Sequence, residues 1–374
     1  MVLLIGNYPP DQQQSMHRFG TMLLQGLTAA GVPAELIRPA PFFGNFRLAG
    51  GFVAKWLGYI DKFILFPRQL RKKIAQRPAL VHICDHSNAI YVKHAARIPT
   101  VVTCHDLLAV RGGLGEKTDC PASRSGRILQ RWILAGLRRA RTVVCVSNAT
   151  LADAKRLLLS EPGGPKLAFA TLGLNYPYRK LPQEEATARL KLHGLDPATP
   201  FVLHVGSNLR RKNREGAVRI LARCKDKWNG RIIFAGDLLT PSIHALGRDF
   251  GVSDRMIEVP YPDNELLEAL YNCATALLYP SRFEGFGWPV AEAHACGCPV
   301  ICSDTGPLPE VGGGAALLHD VEDEEGFAAD IVRLANPAER ERWSGKSLRN
   351  AARFDPKEMI AQYLEIYRSL TLQL

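Results

Sequence analysis

Pro280-Ser281-Arg282-Phe283-Glu284-Gly285-Phe286-Gly287-Trp288-Pro289-Val290-Ala291-Glu292-Ala293 follows the apolar run Thr275–Tyr279 and is the most informative stretch of the chain. It reads as a strand end, a glycine-rich turn and a helix start in direct succession. Glycines lack a Cβ and let backbone approach a ligand closely. Proline at the first helical positions loses nothing, because its missing N–H has no partner there. The helix start that follows offers free N–H groups and partial positive charge to an anion. Glu284 falls at the turn and Glu292 about one helical turn inside, so both reach a ligand lying on it. Such a site suits a phosphate-bearing, hydroxyl-rich ligand, with N–H groups for phosphate and carboxylates for hydroxyls.

Outward from this stretch, apolar β-type runs alternate with amphipathic segments almost from end to end. Strands are predicted at Val2–Ile5, Ala34–Ile37, Leu80–Cys84, Thr100–Cys104, Thr142–Val146 and Leu167–Thr171. A second series covers Phe201–Val205, Arg231–Ala235, Met256–Val259, Thr275–Tyr279, Pro299–Cys302 and Ala315–Leu318. Between them lie helical patterns, such as Ser15 to Ala30 with Phe19, Met22, Leu23 and Leu27 on one face. Near-continuous apolar strands separated by helices imply parallel sheets covered on both faces. Two such series predict two doubly wound α/β domains. The pattern breaks between Gly173 and Pro200, where Tyr176-Pro177-Tyr178 and Leu181-Pro182 interrupt it and a short helix is expected at Glu184–Leu192. The expected division is 1–180, 181–355 and a C-terminal helix at 356–374.

The chain's 374 residues provide for two domains with their own cores. Hydrophobic residues at 47% and charged ones at 22% describe a globular protein. Met1–Ile5 is too short for a signal-peptide core, and no run approaches the roughly 18 apolar residues of a membrane span. A cytoplasmic location is expected. The nine cysteines form no C-x-x-C pair or zinc spacing, so Cys296, Cys298 and Cys302 read as small buried hydrophobes. The net charge of +11 is uneven: residues 1–180 hold 25 basic and 9 acidic residues, the remainder 22 and 27. An anionic partner is therefore expected for the first half only.

Two glutamates eight apart carry little weight alone in a chain with 36 acidic residues. Their surroundings carry more. Glu284-Gly285-Phe286-Gly287, Pro289, Glu292-Ala293, Gly297 and Pro299-Val300-Ile301 with Ser303 resemble the donor-site signature of the retaining glycosyltransferases of family four. The resemblance continues through Pro309-Glu310-Val311 and Gly314-Ala315-Ala316. It implies the GT-B fold, two Rossmann-like doubly wound domains facing each other across a cleft. The first would be the acceptor side, the second would bind the nucleotide sugar, and the last helix would cross back to the first.

Strand Phe201–Val205 ends in Gly206-Ser207-Asn208-Leu209-Arg210-Arg211-Lys212-Asn213, at the strand edge where open α/β sheets bind ligands. Cations in a surface loop are commonly just solvated. This loop, however, resembles the family's diphosphate-binding loop at Gly206, Arg211, Lys212 and Asn213. A leaving nucleoside diphosphate gains negative charge as its bond breaks, so preorganised cations stabilise the transition state more than the ground state. No Asp-x-Asp metal motif occurs in the chain. The resemblance implies that Arg211, Lys212 and the helix start at Gly287 act without a metal or other cofactor. It assigns ribose hydroxyls to Glu292, sugar hydroxyls to Glu284, and places Gly285 and Phe286 in the donor turn.

His105-Asp106 follows strand Thr100–Cys104 and resembles the family motif whose histidine faces the donor sugar. Two roles are open to Asp106: orienting His105 or facing the acceptor. His86, in Asp85-His86-Ser87-Asn88, is a weaker acceptor-side candidate. The first loop, Pro10-Asp11-Gln12-Gln13-Gln14-Ser15-Met16-His17-Arg18, lacks the paired glycines of many members. Gln14 and Ser15 are placed to meet an acceptor, although capping the first helix is the favoured role for Ser15.

The expected activity is retaining transfer of a sugar from a nucleotide diphosphate sugar to a carbohydrate or lipid-linked acceptor, with the departing phosphate accepting the acceptor's proton. A GT-B nucleotide-sugar epimerase or hydrolase is the alternative. Nucleic-acid binding, raised only by a pI near 9.3, is remote because no nucleic-acid motif accompanies the charge. From Arg47 to Arg77, eight basic residues (Arg47, Lys55, Lys62, Arg68, Arg71, Lys72, Lys73, Arg77) oppose Asp61 alone. Phe52, Trp56, Phe63 and Phe66 lie among them. Such a segment either packs on the first sheet or attaches the protein peripherally to an anionic membrane.

Overall fold

The structure, a computed structural model, describes residues 1–11, 13–44, 51–159 and 163–371, and for 51–55 the backbone alone. The chain divides into two units, Met1–Asn175 with Pro356–Leu374, and Tyr176–Asp355.

In unit 1, β1 (Val2–Ile5), β2 (Ala34–Ile37), β3 (Leu80–Ile83), β4 (Thr100–Cys104), β5 (Thr142–Cys145) and β6 (Lys166–Phe169) form a parallel sheet. Its order is β2-β1-β3-β4-β5-β6. Leu3, Ile5, Val81, Ile83, Val102 and Val143 join one core cluster, as the uninterrupted apolar strands require. The chain leaves β1 toward β2 and then starts β3 on the other side, so the switch point lies between the ends of β1 and β3.

Unit 2 repeats the scheme with β7 (Phe201–Gly206), β8 (Arg231–Gly236), β9 (Met256–Pro260), β10 (Ala276–Tyr279), β11 (Val300–Ser303) and β12 (Ala316–His319). Its parallel order, β12-β11-β10-β7-β8-β9, puts the switch point between β7 and β10. Each of the twelve strand expectations meets an observed strand, with ends shifted by at most two residues. Cys296, Cys298 and Cys302 are buried, unpaired thiols.

The helix Pro356–Arg368 packs within unit 1. A Cβ on Gly26 would lie 2.4 Å from the Ile360 side chain, so this glycine permits the close approach of the helix Gln14–Ala29. Tyr363 shares a 2.8 Å hydrogen bond with Thr103 on β4, and the Tyr367 hydroxyl meets His82 on β3. The Thr171 amide donates to Gln362 at 3.0 Å.

Residues 51–74 are helical throughout, with a π-type turn at Asp61–Leu65. Asp61 is wholly buried and accepts from the Tyr8 hydroxyl at 2.6 Å and the Phe43 and Gly44 amides at 3.1 and 2.9 Å. Phe66 and Leu70 belong to the core, while Lys62 and Lys73 pair with Asp11 and Glu35 at 3.0 and 2.5 Å. The apolar part of this segment is therefore largely packing, although Trp56 and Ile64 are exposed. Arg47 lies outside the described residues, as do the side chains of Phe52 and Lys55. Among the described residues, no helix is long and apolar enough to cross a membrane.

Candidate active site

The switch point of unit 2 brings together the loops after β7 and β10. Leaving β7, the chain makes one 3₁₀ turn at Arg210–Lys212, and Asn213 takes the left-handed conformation (φ 52°) before the helix Arg214–Cys224. Asparagine tolerates that conformation better than most residues. Its side-chain amide donates to the Pro280 carbonyl at 3.0 Å, and the Arg282 amide donates to the Arg211 carbonyl at 2.7 Å. The two loops are thereby held in one position.

Glu284 is the centre of the resulting site. Oε1 accepts from Lys212 Nζ and from the Tyr279 hydroxyl, each at 2.7 Å, while Oε2 accepts from Arg211 Nη1 at 2.9 Å. Lys212 also donates to the Tyr279 oxygen at 2.6 Å and lies 4.9 Å from the centre of its ring. Burial raises the Glu284 carboxyl, but the adjacent Lys212 and Arg211 prevail and hold it at about 2. For Lys212, burial lowers the pKa and the charge of Glu284 opposes it. Burial, reinforced by the carboxylate, pushes the Tyr279 phenol well up, so it stays a donor. Two cations against one carboxylate leave a net positive site that attracts an anion.

The basic run of this loop is not a set of equivalent solvated charges, as a surface-loop reading assumes: Arg210 is exposed, Arg211 half-buried and Lys212 buried. Gly206 lies beneath it, where a Cβ would press on the Lys212 stem at 3.2 Å. Arg214, which sequence reasoning did not single out, is buried and donates to Asn208 at 2.8 Å, to the Asp237 carbonyl at 2.7 Å and to the Gly206 carbonyl. It fixes the start of the loop rather than facing a ligand. Tyr279 was also missed. Its signal was a hydroxyl on the last residue of an apolar strand, five positions before Glu284.

Gly287 is left-handed at φ 99° and caps the helix Trp288–Ala295, with the Leu308 side chain 2.7 Å from where a Cβ would stand. Glu292 lies in that helix, buried, and accepts from the Tyr271 hydroxyl at 2.9 Å. Phe286 is buried edge-on against Phe354, ring centres 5.9 Å apart, so its side chain serves packing.

The switch point of unit 1 carries a second polar cluster. Asn7, just past β1, donates to Asp85 at 2.5 Å and to Gln13, and accepts from Asn88 at 3.2 Å. Asp85 also accepts from the Ser87 amide at 3.1 Å and hydroxyl at 2.5 Å, and pairs with His86 Nδ1 at 3.1 Å. Burial pushes Asp85 up and His86 down, yet their pairing reverses both, lowering the carboxyl and raising the imidazole. Asn7 was not singled out from the sequence, because its bridge to Asp85 spans 78 residues and has no local signal.

His105 is buried at the end of β4, edge-on to Phe19 with ring centres 4.8 Å apart. Its Nε2 lies 3.0 Å from the Cys84 carbonyl, which only accepts, so Nε2 carries the proton and Nδ1 the lone pair. Burial lowers its pKa, which keeps the ring neutral at pH 7. Asp106 Oδ1 accepts instead from the Leu108 amide at 2.9 Å, so the Cys84 carbonyl, not Asp106, is the hydrogen-bond partner of His105 Nε2. The expectation for Ser15 is corrected. The helix begins at Gln14 with Gln13 in the cap position, and Ser15 is an exposed residue inside the first turn. Gln14 is exposed beside it. Among the described residues, no group of three or more His, Cys, Asp or Glu side chains is placed to hold a metal ion.

Residues 199–336 match the family signature described as "Glycosyl transferases group 1", and residues 17–162 match "Glycosyltransferase Family 4". The chain belongs to this glycosyltransferase family. A curated relative, the D-inositol 3-phosphate glycosyltransferase of Acidothermus cellulolyticus, is 28% identical over 292 residues, 72% of this chain and 62% of that one. The match therefore spans under two thirds of that relative's own length. Among solved structures, sucrose-phosphate synthase from Thermosynechococcus elongatus superposes with a TM-score of 0.75 at 20% identity, covering 99% of this glycosyltransferase and 98% of that chain. Anabaena HepE in complex with UDP and glucose gives a TM-score of 0.74 at 16% identity, covering 99% of each chain. At these identities the likeness is one of fold, and the fold of this family member is GT-B.

Proposed function

We propose that this chain is a retaining, metal-independent glycosyltransferase that moves a sugar from a nucleotide diphosphate sugar to an acceptor hydroxyl. One observation carries the reading: Arg211 and Lys212 converge on Glu284 at the switch point of unit 2. The diphosphate takes Arg211 and Lys212, together with the helix start at Gly287. Glu284 receives the sugar hydroxyls and Glu292 the ribose hydroxyls, with Gly206, Asn213, Gly285 and the Phe286 backbone shaping the turn. His105 serves the donor sugar, and Gln14, Ser15, His86 and Asp106 are the acceptor-side candidates. Anabaena HepE, similar in fold, is in complex with UDP and glucose, which supports a nucleotide sugar here.

In the proposed step, the bond from the anomeric carbon to the diphosphate oxygen breaks as the acceptor oxygen bonds that carbon on the same face. The acceptor proton passes to the departing phosphate oxygen, so no enzyme carboxylate becomes a covalent nucleophile. Preorganised cations facing the leaving group are worth roughly 10²-fold in rate for each donor. The acceptor is a carbohydrate or lipid-linked hydroxyl, and the protein works in the cytoplasm at the inner membrane face.

A thermal-shift panel of UDP-, GDP- and ADP-sugars identifies the donor, because a ligand at 100 times its Kd adds about 2.7 kcal/mol. Proton NMR of the product then reads the anomeric configuration. A product of inverted configuration, or epimerisation of the donor without acceptor, overturns the proposal.

A further inference from the structure

The helix Arg124–Arg139 takes no part in either polar cluster, yet its outer face is unusual. Ile133, Leu134, Gly136 and Leu137 form its buried side. A Cβ on Gly136 would lie 2.2 Å from the Ala89 carbonyl oxygen, so the helix is seated with backbone against backbone. Helical spacing puts Arg124, Arg127, Ile128, Arg131, Trp132 and Arg139 on the opposite face, and all are exposed. Ile128 and Trp132, one turn apart, are 53% and 59% exposed. Residues 120–152 hold six arginines and no acidic residue. Arg138 turns inward and donates to the Leu157 carbonyl at 3.1 Å, so the outward arginines are not needed to close the helix end.

We infer that this face docks unit 1 onto an anionic lipid surface. Ile128 and Trp132 enter the boundary between headgroups and acyl chains, and Arg124, Arg127, Arg131 and Arg139 pair with lipid phosphates. Apolar bulk ringed by cations on a rigid helix is what interfacial binding needs. A polyanion such as RNA would satisfy the arginines but offers Ile128 nothing. The inference moves the membrane contact away from residues 47–77, where Lys62 and Lys73 already have carboxylate partners. It stands independently of the donor assignment.

Sedimentation of the full chain with vesicles of phosphatidylglycerol and phosphatidylcholine tests it, with pure phosphatidylcholine as the control. Binding is expected to the anionic vesicles alone, at low salt, with release at high salt. Arg131→Ser is expected to weaken it about fivefold, the equivalent of about 1 kcal/mol per basic residue near the surface. Trp132→Ser is expected to weaken it at least as much, whereas Arg68→Ser, on the other basic segment, leaves it unchanged. The inference is overturned by equal binding to both vesicle types, by parent-like binding of Arg131→Ser and Trp132→Ser, or by an equal loss in Arg68→Ser. Tighter binding to an RNA oligomer than to anionic vesicles overturns it in favour of nucleic acid. The thermal shift given by a nucleotide sugar without vesicles stays unchanged in these variants, so failure here is distinguishable from failure of the catalytic reading.

Discussion

Lys212 Nζ lies 2.7 Å from Glu284 Oε1, joining two loops 72 residues apart in the chain, and both side chains are buried. Removing either charge from water costs several kcal/mol, so each residue is tolerated there because of the other. In the proposed function, a diphosphate entering the site would compete with Glu284 for Lys212 and Arg211.

Lys212→Ala is expected to lower kcat by about 10²-fold. It also leaves buried Glu284 with Arg211 as its one paired cation, costing about 3 kcal/mol in urea unfolding. Adding Glu284→Ala restores part of the stability and none of the activity. Turnover close to the parent's in folded Lys212→Ala sinks the assignment.

Tyr279 donates to Glu284 and accepts from Lys212, both within 2.7 Å. Tyr279→Phe keeps the packed ring and deletes the hydroxyl, so kcat is expected to fall about tenfold, consistent with about 1.5 kcal/mol for a hydrogen bond to a charged group. Nucleoside diphosphate affinity is expected to change by less than threefold. A Tyr279→Phe enzyme with unchanged kcat removes Tyr279 from the catalytic arrangement.

The two glutamates are expected to separate by ligand. Glu292→Ala weakens binding of the free nucleoside diphosphate, measured by calorimetry, through lost ribose contacts. Glu284→Ala retains that binding and loses sugar transfer. Equal weakening in both variants contradicts the division.

Glu284 also gives stability a pH signature. Its folded pKa of about 2 lies below its ordinary value of 4.5. The unfolded chain therefore binds the proton first, and this contribution is complete above about pH 4.5 and is lost as the pH falls toward 2. Urea midpoints of the parent are expected to fall through that window relative to those of Glu284→Gln. Parallel curves for the two proteins contradict the buried pairing.

Activity is expected to survive excess EDTA, because in the proposed mechanism Arg211 and Lys212 take the place of a metal's charge. Loss of turnover in chelator, restored by magnesium or manganese, contradicts this.

Much of the candidate site was legible because its pieces are local. The Gly285–Pro289 turn, Glu284 and Glu292 sit within nine residues, and a strand end followed by a helix start is a pattern of neighbours. The Arg211-Lys212-Asn213 loop was equally readable. Ser15 was misread because serine before an amphipathic run fits a cap and a first-turn position equally well. Backbone dihedrals, set by packing of the whole helix, chose Gln13 for the cap.

In the primary structure, near-continuous apolar runs separated by helically spaced segments already define twelve strands and their parallel class, because a strand covered on both faces is apolar throughout whereas a helix repeats every 3.6 residues. The two chemical loops are read from the local order of glycine, proline and charge. The arrangement of Lys212, Tyr279 and Glu284, the Asn7–Asp85 bridge and the outward face of Arg124–Arg139 arise from strand order and burial. Strand order places β7 beside β10 and β1 beside β3 across long stretches of chain. Burial then turns ordinary Lys, Tyr and Glu side chains into a coupled, desolvated cluster, a property that no local window of residues contains.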